Sequence, residues 1–286
     1  MRIDQLLVQR GQATTRSQAQ RLIADGVEWL QGEAWKRVAK NGDEVPETAD
    51  VRLLDDSEAR YVSRGGLKLE AALKQVGLSV EGLACLDVGQ STGGFTDCLL
   101  QHGARLVVGV DVGSAQLHPQ LREDGRVLCV EKVNARSLTA TDLIAACANY
   151  TGAGGLFDPE VHGEEPFVPE FDVVVGDLSF ISQTLVLPAV VPFLKAGGTL
   201  LTLVKPQFEL QPGQVGKGGI VKDDAMYPIV EQRLREACAE LGLTVTAWFD
   251  SPIEGGDGNR EFFVSAKRLL ILADARADGA QEPSTE

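Results

Sequence analysis

The feature that most constrains the fold is a buried strand that leads directly into a glycine-rich turn and then into a helix. Residues 83–88 are an apolar run that predicts the strand, and the helix is predicted from Gly93 to Gln101. Gly89, Gly93 and Gly94 let the backbone approach a ligand closely, because glycine has no Cβ atom. A strand, a tight turn and a helix N-terminus in this order form the nucleotide-type sites of α/β proteins.

The turn does not have the glycine spacing of a dinucleotide site, because Ser91 stands where the second glycine would be. Asp87, at the end of the first strand, suits a ligand with a positive end, such as the amino group of S-adenosylmethionine (SAM). The next strand, residues 105–110, is followed by Asp111, and an acid at that place can bind the two ribose hydroxyls of an adenosine. The alternative is an ordinary βαβ crossover whose glycines serve packing only.

A third predicted strand, residues 126–130, extends the same site. Asn134 and Ala135 follow it, at a position suited to the edge of an adenine ring. The predicted cofactor-binding residues are therefore Asp87, Gly89, Ser91, Thr92, Gly93, Gly94, Phe95, Asp111, Val112, Asn134 and Ala135.

The net charge of −14 argues against a nonspecific nucleic-acid binder, since an acidic protein repels phosphate. The charge is unevenly distributed, however. Residues 1–40 hold seven basic and four acidic side chains, a balance of +3. A chain of this kind can bind RNA through one basic face and repel it elsewhere.

Composition predicts a cytoplasmic protein with a sizeable core. The 286 residues are 44% hydrophobic, which favours one large domain and one small one. No apolar run is long enough to cross a membrane, and the first residues do not resemble a signal peptide. The five cysteines are odd in number and widely spaced, so we expect them to be reduced. The three histidines lack ligand spacing, and we expect no metal site.

The first 60 residues predict a small α+β unit. Residues 3–10 predict a short helix, Thr15 caps a second helix that extends to Ala24, and residues 27–30 and 51–54 predict strands. This segment resembles the S4 RNA-binding domain at Arg2-Ile3-Asp4, Leu7, Gly11, Thr15-Arg16, Ala19, Leu22-Ile23, Gly26-Val27 and Gly32. The resemblance implies RNA contacts by Arg2, Arg16, Arg21, Lys36 and Arg37, to which we add Arg64. The alternative is a solvated basic helix face.

The remaining chain alternates strands and helices, which predicts an α/β fold with a mostly parallel sheet. Further strands are predicted at residues 171–177, 199–204, 244–249 and 262–266, with helices at 182–194, kinked at its prolines, and from Asp223 or Asp224 to about Leu241. We expect residues 151–170 to form a mobile acidic loop. The predicted domains are an S4-like domain at 1–60 and a larger α/β domain at 61–272, followed by a disordered tail at 273–286.

The predicted strand ends place charged side chains at one edge of the sheet, where α/β proteins bind their ligands. Asp177 ends the fourth strand and Lys205 follows the fifth. Glu261 opens the last strand, which runs antiparallel in the methyltransferase fold and so begins at the same edge. The sequence resembles the FtsJ-like 2′-O-methyltransferases, which use a Lys-Asp-Lys-Glu set, and this resemblance implies that Lys68 is the remaining member.

The closest family resemblance is to the haemolysin-A/TlyA family, in which an S4 domain precedes such a methyltransferase. The matching stretches are Tyr61 to Glu70, Asp87 to Asp97, Gly176 to Ser182, Leu203 to Glu209, Val215 to Val221 and Gly258 to Phe262. Gln90 departs from the pattern, since small residues are usual there. The resemblance implies a Rossmann-like sheet of seven strands, SAM as cofactor, and ribosomal RNA or ribosomal subunits as partner.

The implied reaction is 2′-O-methylation of ribosomal RNA, with cytidine as the target. A ribose hydroxyl is a poor nucleophile at neutral pH, and Lys205 is the candidate base. Asp177 opposes that role, because its carboxylate stabilises the charged ammonium form of Lys205. The sequence does not decide which protonation state of Lys205 prevails. Lys68 and Glu261 are expected to position the ribose and Lys205.

Three other functions are weighed against this one. A noncatalytic RNA-binding module is disfavoured by the intact set of Lys68, Asp177, Lys205 and Glu261. A membrane-active haemolysin is disfavoured by the lack of a spanning segment or a strongly cationic amphipathic helix. A base methyltransferase is disfavoured because no Asn-Pro-Pro-aromatic run or catalytic cysteine pair follows the fourth strand.

Overall fold

The computed structural model describes residues 1–54, 60–149, 167–253, 255 and 258–269. These residues form a three-stranded sheet near the N-terminus and a seven-stranded sheet after it. Residues 151–166 of the predicted acidic loop and the predicted tail at 273–286 lie outside the described residues. Among the residues described, no helix is long and apolar enough to cross a membrane.

The N-terminal unit packs two helices on a small antiparallel sheet with the strand order β2-β1-β3. Its elements are α1 (Ile3–Gln9), α2 (Arg16–Gly26), β1 (Val27–Gln31), β2 (Ala34–Arg37) and β3 (Val51–Leu53). The Thr15 side chain accepts a hydrogen bond from the backbone N–H of Gln18, so the predicted N-cap is confirmed. Ile3, Leu7 and Leu22 are fully buried between the helices and the sheet.

The large sheet has the strand order β6-β5-β4-β7-β8-β10-β9. Its elements are α3 (Gly65–Val76), β4 (Ala84–Val88), α4 (Gly94–Gln101), β5 (Leu106–Asp111), α5 (Pro119–Arg122), β6 (Val127–Glu131), α6 (Ala140–Ala148), β7 (Phe171–Asp177), α7 (Leu187–Val190), β8 (Leu194–Val204), α8 (Pro206–Glu209), α9 (Met226–Glu240), β9 (Leu243–Asp250) and β10 (Phe262–Arg268). Strands β4 to β8 are parallel, and β10 is antiparallel to both of its neighbours. The predicted fold class, a mostly parallel seven-stranded methyltransferase sheet, is confirmed.

Each face of the sheet is covered by a separate apolar cluster, because side chains of a strand point to alternate faces. In β4, Leu86 packs into the cluster that includes Leu234 of α9. Its neighbour Cys85 packs into the other cluster, with Leu69 of α3 and Leu99 of α4. Burial on both faces explains why the central strands are continuous apolar runs in the sequence.

The predicted helix at 182–194, kinked at its prolines, is helical over most of its length but is divided into short pieces. The segment forms the short helix α7 between two 3-10 turns, Gln183–Leu185 and Val191–Phe193. Pro188 and Pro192 each lie in the first turn of one of these pieces, and proline is tolerated there but not inside a continuous helix. Strand β8 also begins at Leu194, five residues before the predicted Thr199, and Gly197 within it has φ +76°.

Candidate active site

A cavity of about 580 Å³ opens at the carboxyl ends of β4, β5 and β7, a size typical of small-molecule sites. Of the predicted cofactor residues, those in its lining are Gly89, Ser91, Asp111, Val112, Asn134 and Ala135. A smaller cavity of about 150 Å³ adjoins it and shares Gly89, Ser91, Asp177 and Ser179 with it. Thr92, Gly94 and Phe95 line this second cavity, and so does Lys205. The cofactor prediction and the catalytic prediction therefore meet at one cleft.

The glycine turn is fitted closely to the end of β7. Gly89 has φ +85°, and a Cβ atom at this position would lie 2.7 Å from the carbonyl oxygen of Asp177. Gly93 has φ +97° and lies behind the turn, where a Cβ atom would lie 2.4 Å from Leu121. Glycine is required at both positions, because a side chain would be both strained and blocked.

Asp111 links the turn to the wall of the larger cavity. One of its carboxylate oxygens accepts a hydrogen bond from the backbone N–H of Ser91 at 2.7 Å, and the other accepts from that of Gly113, also at 2.7 Å. A carboxylate oxygen has more than one acceptor site, so both oxygens can still accept from the hydroxyls of a ribose. The arrangement supports the predicted role of Asp111 in holding an adenosine.

Asp87 lies beneath the turn rather than in the cavity lining. Its side chain is fully buried, and Oδ2 accepts a hydrogen bond of 2.7 Å from Thr96 Oγ1, which in turn accepts one of 2.9 Å from Gln90 Nε2. Burial raises the pKa of Asp87 to about 7, and the hydrogen bond from Thr96 opposes that rise. Direct contact between Asp87 and a cofactor remains a prediction, and the structure gives this carboxyl a supporting place under the turn.

The side chain of Gln90 fills the space that Gly109 leaves open because glycine has no side chain. Its side chain is buried, and a Cβ atom at Gly109 in β5 would lie only 2.0 Å from its amide. The amide thus fills the volume above Gly109 and ties the turn to Thr96 at the start of α4. This contact explains how a large residue fits where the family usually has a small one.

One lysine–carboxylate pair lines the smaller cavity, and a second, buried pair lies outside the lining. Lys205 Nζ lies 2.6 Å from Asp177 Oδ1 and donates a hydrogen bond of 2.8 Å to Ser179 Oγ. Lys68 Nζ donates to Glu261 Oε2 at 2.5 Å, and both of these side chains are buried. In the sheet, Asp177 is opposite Leu203 and Phe262 is opposite Val204, so the strand ends bring the two pairs to one place.

The electrostatics of Glu261 confirm that the four side chains influence one another. Burial raises the pKa of Glu261, whereas the hydrogen bond and the charge of Lys68 lower it. The charges of Lys205 and Asp177 also act on this carboxyl, with opposite signs. The structure thus brings together all four residues of the predicted Lys-Asp-Lys-Glu set, including Lys68, which is 193 residues from Glu261 in sequence.

Sequence reasoning missed several side chains around this set. Ser179 binds Lys205, and Phe180 beside it is 89% exposed, has φ +64° and contacts Phe208 with 5.0 Å between ring centroids. Behind them, buried Glu209 accepts hydrogen bonds from Ser182 Oγ at 2.5 Å and from the backbone N–H of Gln183 at 2.7 Å. These side chains lie in two of the stretches that match the family, residues 176–182 and 203–209, and that match was the signal for them. The sequence alone assigned a role only to Asp177 and Lys205 in these stretches.

The predicted RNA-binding residues lie mainly on the N-terminal unit. Arg2 precedes α1, Arg16 and Arg21 belong to α2, and Lys36 and Arg37 belong to the exposed strand β2. Arg2 and Arg16 meet at the carboxylate of Asp4. Arg64 belongs to the second part of the chain, at the N-cap of α3 and next to Ser63 of the smaller cavity.

Two arginines outside the predicted RNA-binding set serve the fold of the N-terminal unit. Arg10 donates hydrogen bonds to the backbone carbonyls of Ala49 and Glu47, both at 2.6 Å. Arg52 pairs with Glu28 at 2.6 Å and lies over the ring of Trp35, 4.3 Å from its centroid. Their guanidinium groups are therefore committed to intramolecular contacts.

Comparison with known proteins matches the chain to two families. The FtsJ-like methyltransferase model matches residues 61–268, and the S4 domain model matches residues 1–26. The 16S/23S rRNA (cytidine-2'-O)-methyltransferase TlyA of Mycobacterium tuberculosis is 40% identical over 263 residues, which cover 92% of this chain and 88% of the relative. Hemolysin A of Brachyspira hyodysenteriae is 35% identical over 262 residues, 92% of this chain and 98% of the relative.

A solved structure agrees with these sequence matches. It is described as a hemolysin from Streptococcus thermophilus and is 36% identical in sequence, with a TM-score of 0.66. The match covers 94% of this chain and 88% of that chain. The predicted resemblance to the S4 and FtsJ-like families is confirmed.

Proposed function

This chain belongs to the FtsJ-like methyltransferase family, and from that membership we propose that it methylates the 2′-oxygen of a cytidine ribose in ribosomal RNA, with SAM as methyl donor. The reaction and the substrate are those in the name of the Mycobacterium tuberculosis relative. The observation that carries the proposal is the convergence of Lys68, Asp177, Lys205 and Glu261 beside a cavity suited to an adenosine.

The cavity residues fit the cofactor chemically. Asp111 offers acceptors for the two ribose hydroxyls, and Asn134 and Ala135 line the wall where an adenine edge would lie. Gly89 keeps the backbone close to Asp177, which brings the cofactor cavity next to the charged set. When bound, SAM supplies a methyl group on a positively charged sulfur, which needs no further activation.

The protein's task is then to align and activate the ribose hydroxyl. Lys205 would accept the proton of the 2′-hydroxyl as that oxygen takes the methyl group that bound SAM would supply. Asp177 and Ser179 stabilise the ammonium that this transfer creates, because both contact Nζ directly. Lys205 must enter the step uncharged, because only the neutral amine can accept the hydroxyl proton.

Lys68 and Glu261 are positioned to orient the reacting groups. Their pair is enclosed, and a buried ion pair with good geometry holds its members in one arrangement. Fixed orientation accounts for a large share of catalysis when the electrophile is already reactive. In the small domain, the exposed cations on α2 and β2 supply the attraction for phosphate that the acidic remainder of the chain lacks.

The test is a methyl-transfer assay with SAM labelled in its methyl group. Purified protein is incubated with small subunits, with large subunits and with deproteinised rRNA from each, and labelled nucleotides are mapped as 2′-O-methyl or base-methyl products. We expect label on the ribose of cytidine with the wild-type chain and its loss with Lys205→Ala. Absence of label from all four substrates, or label on a base, would overturn the proposal.

A further inference from the structure

One carboxylate in the N-terminal unit is buried between two arginines. Asp4, in the first turn of α1, has a relative exposure of 0%. Arg2 donates to it twice, from Nε to Oδ1 at 3.0 Å and from Nη2 to Oδ2 at 2.8 Å. Arg16 Nη2 donates to the same Oδ2 at 3.3 Å. Residues from the start of α1 and the start of α2 are thus joined at a single oxygen atom.

The two arginines face solvent while the acid that joins them does not. The side chains of Arg2 and Arg16 are 42% and 55% exposed. A guanidinium carries five N–H bonds, of which Arg2 uses two on Asp4 and Arg16 uses one. Both side chains thus keep donors beyond those that bind Asp4, and two positive charges outweigh one buried negative charge. The cluster therefore presents a net positive, donor-rich fork at the surface.

A phosphate group is the ligand that this fork fits. Guanidinium N–H bonds match phosphate oxygens in a planar, paired geometry, and two neighbouring guanidiniums can hold two oxygens of one phosphate. The Arg2 guanidinium also lies against Gly42, where a Cβ atom would be 3.4 Å from its central carbon. Arg10 and Arg52 of the same unit differ, because backbone carbonyls or Glu28 and Trp35 engage them.

We propose that Asp4 is a positioning residue for RNA binding, which holds Arg2 and Arg16 as one fork for a single phosphate of the RNA backbone. This inference rests on the proposed function, because it takes RNA as the ligand of the N-terminal unit. It assigns a role in RNA recognition to an acidic side chain that never touches the RNA. The two arginines lower the pKa of Asp4 to about 2, so the fork keeps its arrangement throughout the neutral range.

The experiment tests whether removing the negative charge of Asp4 strengthens or weakens RNA binding. Asp4→Asn removes a negative charge close to a phosphate site, so simple electrostatics predicts tighter RNA binding. If Asp4 holds the fork, the variant should instead bind RNA about tenfold more weakly. An amide cannot hold both guanidinium groups, and the charge-assisted hydrogen bonds that orient them toward the phosphate are lost. Affinity is measured by fluorescence anisotropy with the full chain and labelled, deproteinised small- and large-subunit rRNA across a salt series. The slope of log affinity against log salt should become shallower by about one phosphate contact.

Matched variants separate the fork from a general loss of structure. Glu28→Gln also removes an acid that pairs with an arginine of this unit, and it should leave the affinity and the salt slope unchanged. Arg2→Ala and Arg16→Ala should each weaken binding, and adding Asp4→Asn to the double alanine variant should have no further effect. Thermal unfolding and SAM titration of every variant verify the fold. If Asp4→Asn does not fold, Arg16→Lys keeps the charge, loses the fork, and should still weaken binding.

The outcomes are distinct. Unchanged or tighter binding by folded Asp4→Asn, with rRNA bound normally by the wild-type chain, would overturn the fork and leave the proposed function in place. Equal weakening by Asp4→Asn and Glu28→Gln would also overturn it. Failure of the wild-type chain to bind either rRNA would overturn the proposed function, and the fork with it.

Discussion

Asp4 in the N-terminal unit and Asp87 beneath the glycine turn both lack exposed surface, yet their pKa values are shifted in opposite directions. Each has a relative exposure of 0%. Two arginines lower the pKa of Asp4 to about 2, whereas burial beside a hydroxyl raises the pKa of Asp87 to about 7. One carboxyl is therefore permanently ionised in the neutral range, and the other is close to its midpoint.

The difference has two physical causes. Asp4 contacts two guanidinium groups that themselves face solvent, and these cations lower its pKa, whereas Asp87 is enclosed and has only the hydroxyl of Thr96 to oppose the effect of burial. Glu261 is an intermediate case, because Lys68 lowers its pKa but burial outweighs that contact and the pKa is raised. Removing Lys68 should therefore raise the pKa of Glu261 further, toward the behaviour of Asp87.

The largest expected effect comes from removing the cation of the enclosed pair. Lys68→Met leaves Glu261 buried without its direct partner, which should lower the free energy of unfolding by about 3–5 kcal/mol. The double variant with Lys68→Met and Glu261→Gln should regain most of that loss, because no uncompensated charge remains. Urea unfolding of both variants at pH 7 measures this, and equal stability of the single and double variants would contradict it.

The next effect concerns Lys205, the more accessible cation. Lys205→Ala should lower the methyl-transfer rate by about a hundredfold or more, the range for loss of a general base, and leave SAM affinity nearly unchanged. Lys205→Arg keeps the positive charge beside Asp177 but cannot accept a proton, so it should not restore the rate. Single-turnover assays measure this. If arginine restores the rate, Lys205 acts as an electrostatic clamp and not as a base.

The raised pKa of Asp87 should make the stability of the protein depend on pH. The folded-state pKa is raised above the unfolded one, so this carboxyl lowers stability progressively as pH rises from about 4 toward about 7. Asp87→Asn removes that dependence and keeps an acceptor for Thr96. Between pH 5.5 and 8, the stability of the variant relative to the wild-type chain should increase by about 2 kcal/mol. Equal pH dependence of the two unfolding free energies would show that Asp87 is ionised throughout.

The smallest expected effect is on SAM affinity, and it distinguishes Asp87 from Asp111, the acid that lines the cavity. Asp111→Ala should weaken SAM binding by about tenfold, because two acceptors for ribose hydroxyls are lost. Asp87→Asn should weaken it less, since this side chain lies beneath the turn. Calorimetric titration with SAM compares them directly. The opposite order of affinities would place Asp87 in contact with the cofactor.

Sequence patterns identified those parts of the fold in which local signals agree with the tertiary structure. Continuous apolar runs marked β4 and β7 because both faces of those strands are buried, and Thr15 marked the start of α2 because its side chain caps that helix. Strand β2 was missed, since all four of its residues are exposed and carry no alternation. The helix at 182–194 was predicted with a kink, and the structure shows a stronger break, because Pro188 and Pro192 lie in the first turns of two separate pieces.

In the candidate site, too, some residues could be predicted from local sequence patterns and others could not. Strand ends pointed to Asp111, Asp177 and Lys205 because parallel strands end at one edge. The contact of Lys68 with Glu261 required the family resemblance, since no local pattern joins residues so far apart. The burial of Asp87 could not be predicted, because a strand-end acid can point into the cleft or under the turn.

The packing of Gln90 over Gly109 makes the effect of one substitution depend on the other. Alanine introduced at 109 first would collide with the amide, which lies 2.0 Å from the place of its Cβ. Alanine introduced at 90 first would open a hollow that alanine at 109 could then fill, at the cost of the bond to Thr96. The cost of alanine at 109 should therefore depend on the residue at 90, and it should be smaller in a chain that already carries alanine there.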